Sequence, residues 1–151
     1  MMERLGDREG RRVLGTHERI IRQQTSAHEG TEIKSMGDGF MLTFPSARRG
    51  GACAIEVQQA LAEMNTARTD APILVRIGLS VGESIHDDKD MFGTSVIMAA
   101  RITAMAYGSQ ILTSQIANEL ASASGDFEFR PMGPMELRGL PGSHTLFEVV
   151  W

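Results

Sequence analysis

Apolar positions along the chain change their period several times, and each change marks an element. Over residues 8–28, Val13, Leu14, Ile20 and Ile21 sit among many arginines, the pattern of an amphipathic helix, and Gly30 stands where such a helix would end. Residues 31–36 and 39–44 read as two strands around "GDG", a short-range hairpin signal. Pro45 and Ser46 open a second helix reaching about Met64, in which Ala54, Val57, Leu61 and Met64 recur at helical spacing as a buried stripe. After the polar loop "NTARTDAP", the segment "ILVRIGLSVGES" predicts a strand, with Ile73, Val75, Ile77 and Leu79 alternating against Leu74, Arg76 and Gly78. An acidic loop, "HDDKD", leads to a third helix over 94–107, rich in Ala and Met. "QILTS" predicts a short strand, "QIANELASAS" a short helix, and the tail from Phe127 alternates as strands around "GLPGSH". The order is that of an α+β fold with no internal repeat.

The chain has 151 residues, the size of one domain, residues 1–151, with a real core. At 42% hydrophobic and 23% charged it is too apolar for disorder. A formal net charge of −4 and a pI near 5.5 argue against a general nucleic-acid binder. No apolar run approaches the roughly 18 residues of a membrane span, and the charged start "MMERLGDREGRRVLG" lacks a signal-peptide core. A cytoplasmic setting is the expectation. Cys53 is the only cysteine, which excludes an intrachain disulfide and a cysteine zinc cluster. Within "GACAIEV" it reads as a small buried side chain. His17, His28, His86 and His144 have no ligand spacing, and the ten methionines read as core filler.

Five blocks change the picture: "IKSMGDGFMLTF", "VRIGLSVGE", "DMFGTSVIMAARI", "GSQILTS" and "ELRGLPG". Their order and spacing resemble those of class III nucleotidyl cyclase catalytic domains, over nearly the whole chain from about Leu5. The resemblance implies a ferredoxin-like βαββαβ core, a central antiparallel sheet with flanking helices, and conversion of ATP to cyclic AMP and pyrophosphate. It also implies two divalent cations, Mg2+ or Mn2+, and a site shared between two domains, hence a homodimer or a strand-exchanged dimer.

Cyclisation is an in-line attack of the ribose 3′-hydroxyl on the α-phosphorus. It requires hard cations to activate the hydroxyl and neutralise phosphate, and carboxylates to hold them. Asp38, in the "GDG" turn, matches the family's metal aspartate; by itself such an aspartate also serves to stabilise a turn. Lys34 and Asp90 match the base-selecting positions. A lysine donor and an aspartate acceptor complement adenine N1 and its amino group, and mismatch guanine. Arg101, in "MAARI", is a charge among small and apolar residues, placed to stabilise charge developing on the α-phosphate or to pair with an acid. Arg138, in "ELRGLPG", stands where the family usually has a lysine on the terminal phosphates.

Two departures stand against these matches. The family's first strand, with its second metal aspartate, is missing ahead of "MMERLGDREG", and Asp7 and Glu3 do not replace it. One carboxylate ligand is therefore lacking, strand edges are expected to be left unpaired, and the chain reads as an N-terminally truncated cyclase domain. Ile97 stands four residues before Arg101, where the family most often has an asparagine that orients the ribose. Losing one such donor typically costs about a hundred- to a thousandfold in rate. The leading expectation is an adenylyl cyclase domain weakened by these departures. The alternative is a catalytically degenerate cyclase-homology domain serving as a dimerisation or nucleotide-sensing module. No "GGDEF"-like turn or "GxxxxGK[ST]" loop supports a different phosphotransferase.

Overall fold

A computed structural model describes residues 2–36, 39–67, 72–82 and 94–151. Contacts gather into two compact units, Met1–Leu74 and Val75–Trp151.

The first unit holds α1 (Met2–Ala27), β1 (Thr31–Met36), β2 (Gly39–Thr43) and α2 (Ala47–Thr66). The α1 helix begins earlier than its apolar pattern predicts, and the side chains of Val13 and Leu14 lie outside the described set. Its buried stripe is His17, Ile21 and Thr25, at the i, i+4, i+8 spacing of one helix face. Gly30 does not end the helix by adopting the left-handed conformation. That residue is Glu29, at φ 62°. Gly30 follows it, donating its amide to the Thr25 carbonyl at 2.8 Å while Glu29 donates to Ser26 at 3.2 Å, the paired bonds of a Schellman motif. Glycine is required at position 30 for space, since a Cβ there would run into the Phe44 ring and the Thr25 methyl.

Ser46 caps α2 as expected, its hydroxyl accepting from the Arg49 amide at 3.2 Å. The helix buries Gly50, Gly51, Cys53, Ala54, Val57, Gln58 and Leu61. Val57 and Leu61, 4% and 2% exposed, each contribute about 1.5–3 kcal/mol of apolar burial. Cys53 is 2% exposed, as its setting in the sequence implied. The strands pair antiparallel from Thr31 opposite Thr43 to Met36 opposite Gly39, with a bulge between Glu32 and Lys34. Arg22 ties α1 to this hairpin, meeting Glu32 at 2.9 Å and lying 5.3 Å over the Phe40 ring. The Glu32 hydrogen bond raises the Arg22 pKa.

The second unit holds β3 (Ile77–Leu79), α3 (Thr94–Met105), β4 (Ile111–Thr113), α4 (Gln115–Ser122), β5 (Glu128–Leu137) and β6 (Leu140–Val150). Its sheet runs β3-β4-β6-β5, with β3 and β4 parallel and the other neighbours antiparallel. A parallel pair needs a crossover, which α3 supplies. Ile102, Ala106, Leu112, Leu137 and Leu146 form the core, with Met98, Met132, Met135 and Leu140 packed around it. Pro131 and Pro134 are tolerated because β5 is the edge strand.

Two readings need correction. The strand expected over "ILVRIGLSVGES" is only Ile77–Leu79 among the described residues. Ile73 is outside it because the Asn65 amide brackets its backbone, donating to the Ile73 carbonyl and accepting from its N–H, both at 2.9 Å. A side chain thus takes the place of a neighbouring strand. The final turn is not "GLPGSH" as a whole: it is Arg138–Gly139, and β6 already begins at Leu140. Among the described residues no strand precedes α1, and β3 has a neighbour on one side only.

Candidate active site

The α3 helix carries one charged residue, Arg101, among apolar, small and hydroxyl side chains. Only Ile102 of the helix is buried, while Ile97 is 40% and Met105 43% exposed. Ile97, Arg101 and Met105 are successive i, i+4 positions and so share a face. The N-terminal end of α3 is fixed beside β3, where the Ser80 hydroxyl donates to the Ser95 carbonyl. Its middle is fixed by Ile102, which packs with Leu137 in the core.

Arg101 does not pair with an acid among the described residues. Its Nε donates to the main-chain carbonyl of Arg138 at 2.9 Å. Two of the residues singled out in the sequence, 37 positions apart, are therefore brought together beside α3. The side chain of Arg138 is exposed on the β5–β6 turn, beside a shallow depression lined by Glu136, Leu137, Leu140 and Gly142. Gly139, at φ 79°, completes the turn in a backbone region that L side chains rarely adopt.

The remaining predicted residues are less fully placed. Lys34 lies in β1 opposite Met41, and its side chain is outside the described set. Asp38 and Asp90 lie outside the described residues altogether, as do His86 and the acidic loop around it. Among the described residues no three His, Cys, Asp or Glu side chains converge as metal ligands. Asp38 therefore carries the metal assignment by sequence alone. The Arg138 carbonyl leaves no trace in the sequence, because a main-chain acceptor has no residue type to read.

Comparison with known proteins agrees with this arrangement of elements. The adenylate and guanylate cyclase catalytic domain family matches residues 3–150, and the chain belongs to that family, the class III cyclases. It is 30% identical over 129 residues to a protein named putative adenylate cyclase 3 of Rhizobium meliloti (strain 1021), covering 85% of this chain and 22% of that protein. The chain thus spans about a fifth of that curated relative. Among solved structures, an adenylate/guanylate cyclase/hydrolase from Silicibacter pomeroyi superposes with a TM-score of 0.86 at 24% identity, covering 99% of this chain and 90% of that one. The guanylyl cyclase Cya2 does so with a TM-score of 0.74 at 26% identity, covering 91% and 78%. Among the described residues no helix is long and apolar enough to cross a membrane.

Proposed function

We propose that residues 1–151 are one adenylyl cyclase catalytic domain that converts ATP to 3′,5′-cyclic AMP and pyrophosphate at a site shared by two copies of the chain. The observation that carries this reading is Arg101. It is the one charged residue of an apolar helix and is held by a carbonyl, with no carboxylate beside it among the described residues, which suits it to an anion. Arg138 sets a second guanidinium on the adjoining turn, so one copy would hold the α-phosphate with Arg101 and the terminal phosphates with Arg138. Lys34 and Asp90 of that copy would select adenine, donating to N1 and accepting from the amino group. Asp38 of the other copy would hold Mg2+ or Mn2+. Such an ion, when bound, lowers the pKa of the 3′-hydroxyl and neutralises phosphate charge. Guanylyl cyclases share the fold, so the preference for ATP rests on the Lys34–Asp90 pair.

A second reading is favoured by Ile97. An isoleucine one turn from Arg101 and 40% exposed offers no hydrogen bond to a ribose. On that reading the domain binds nucleotide or dimerises without turnover. The deciding experiment incubates the purified chain with Mn2+ and either ATP or GTP over a range of protein concentrations. Cyclic AMP formed from ATP, rising more steeply than protein concentration, is the expected result. Nucleotide binding with no product at any concentration would select the second reading, and preferential cyclic GMP formation would overturn the adenine assignment.

A further inference from the structure

Arg101 and the β5–β6 turn are joined through a donor that phosphate recognition could itself have used. A guanidinium has five N–H groups, one on Nε and two on each Nη. It can grip two oxygens of an anion along its Nη1/Nη2 edge or along an edge that includes Nε. In this chain the single Nε hydrogen goes to the Arg138 carbonyl at 2.9 Å, which leaves the Nη1/Nη2 edge.

We propose that the Arg138–Gly139 turn is a positioning element for Arg101, its main-chain carbonyl orienting the guanidinium so that the Nη1/Nη2 edge faces the substrate phosphate. The proposal rests on the reading of Arg101 as a phosphate-binding group. Two neighbouring contacts make the carbonyl a fixed point. Leu137, the preceding residue, is 3% exposed and shares the core with Ile102, the residue after Arg101. The buried contact and the surface hydrogen bond are thus one residue apart on both elements. Gly139 then turns the chain at φ 79°, so that Leu140 pairs back with Leu137. A long arginine side chain samples many rotamers in solution. A second anchor point beyond Cβ confines it before substrate arrives, and small displacements of a positioned group are costly in rate.

The test combines exchange of the arginine Nε–H protons, read by 15N–1H NMR on the whole chain and assigned with Arg101→Lys, with steady-state kinetics on ATP. In the unaltered chain the Arg101 Nε–H should exchange with water at least tenfold more slowly than that of exposed Arg11. Arg138→Ala keeps the carbonyl, so the protection should remain while KM for ATP rises several-fold. Gly139→Val forces a branched side chain into the left-handed region and displaces the carbonyl. The protection should be lost and kcat should fall about tenfold to a hundredfold with a smaller change in KM. Gly139→Asn, which tolerates that conformation, should preserve both. Arg101 exchange as fast as that of Arg11 in the unaltered chain would overturn the proposal, as would protection surviving Gly139→Val. If Gly139→Val fails to fold, exchange in the unaltered chain and in Arg138→Ala still decides. A chain that makes no cyclic AMP would defeat the cyclase reading alone, since the exchange measurement does not depend on turnover.

Discussion

The helices α2 and α3 are both rich in small and apolar residues, yet the chain uses them in opposite ways. The α2 helix buries a continuous stripe from Gly50 to Leu61. The α3 helix buries Ile102 alone and leaves Ile97 and Met105 exposed on the face that carries Arg101. Apolar composition therefore accompanies a buried stripe in α2 and a largely uncovered face in α3. Burial, not hydrophobicity, separates the two roles.

Substitutions on the two helices should break in different currencies. The largest effect is expected from Arg101→Ala, which should lower cyclic AMP production about a thousandfold or more. Its stability in urea should move by no more than about 1 kcal/mol, because the half-buried side chain gives up one hydrogen bond, to the Arg138 carbonyl. The fully buried Leu61 of α2 should behave the other way. Leu61→Ala should cost about 2–5 kcal/mol in denaturant unfolding. Equal stability losses for the two variants would erase the distinction.

Ile97→Asn sharpens the comparison from the other side, by restoring a hydrogen-bonding group on α3. It should raise kcat up to about a hundredfold with little change in stability, and an unchanged rate would remove Ile97 from the site. A smaller effect is expected at the α2 cap. Ser46→Ala removes the acceptor of the Arg49 amide and should cost about 1 kcal/mol, read as a lower melting temperature.

Cys53 reports on α2 through pH. Burial, with a smaller contribution from Glu56 and against the Thr25 hydrogen bond, pushes its thiol from 9.0 up to about 11. The unfolded chain therefore loses this proton first, and between those values the folded state binds more protons. Its contribution to stability should fall as pH rises through that window and be constant below it. Urea titrations of the unaltered chain and Cys53→Ala across that range would show the difference. At pH 8 the thiolate fraction, and with it alkylation, should be about a hundredfold below that of an unperturbed thiol.

Most of the fold was legible because periodicity is a local property. The order of elements, the Ser46 cap and the burial of Cys53 all follow from spacing and residue type. The misreadings share a cause, which is that the deciding partner lies outside the short segment being read. Gly30 reads as a helix terminator, but its smallness serves Phe44 while Glu29 takes the left-handed turn. The β3 strand reads as long until Asn65 takes over the backbone of Ile73. "GLPGSH" contains two glycines and a proline, and only the register of β5 on β6 shows that the turn is at Arg138–Gly139. At the site, Arg101 was legible as a charge out of place on an apolar helix. Its anchor was not, because the acceptor is main chain.

The central claim is a catalytic site assembled from two copies, and mixing two inactive variants tests it most directly. Asp38→Ala and Arg101→Ala chains, each inactive alone, should recover cyclic AMP formation when combined. With random pairing, half the dimers are mixed and each holds one intact site, so about a quarter of the unaltered activity is expected. A mixture as inactive as its components, beside an active unaltered chain, would place both residues in one copy and contradict the account.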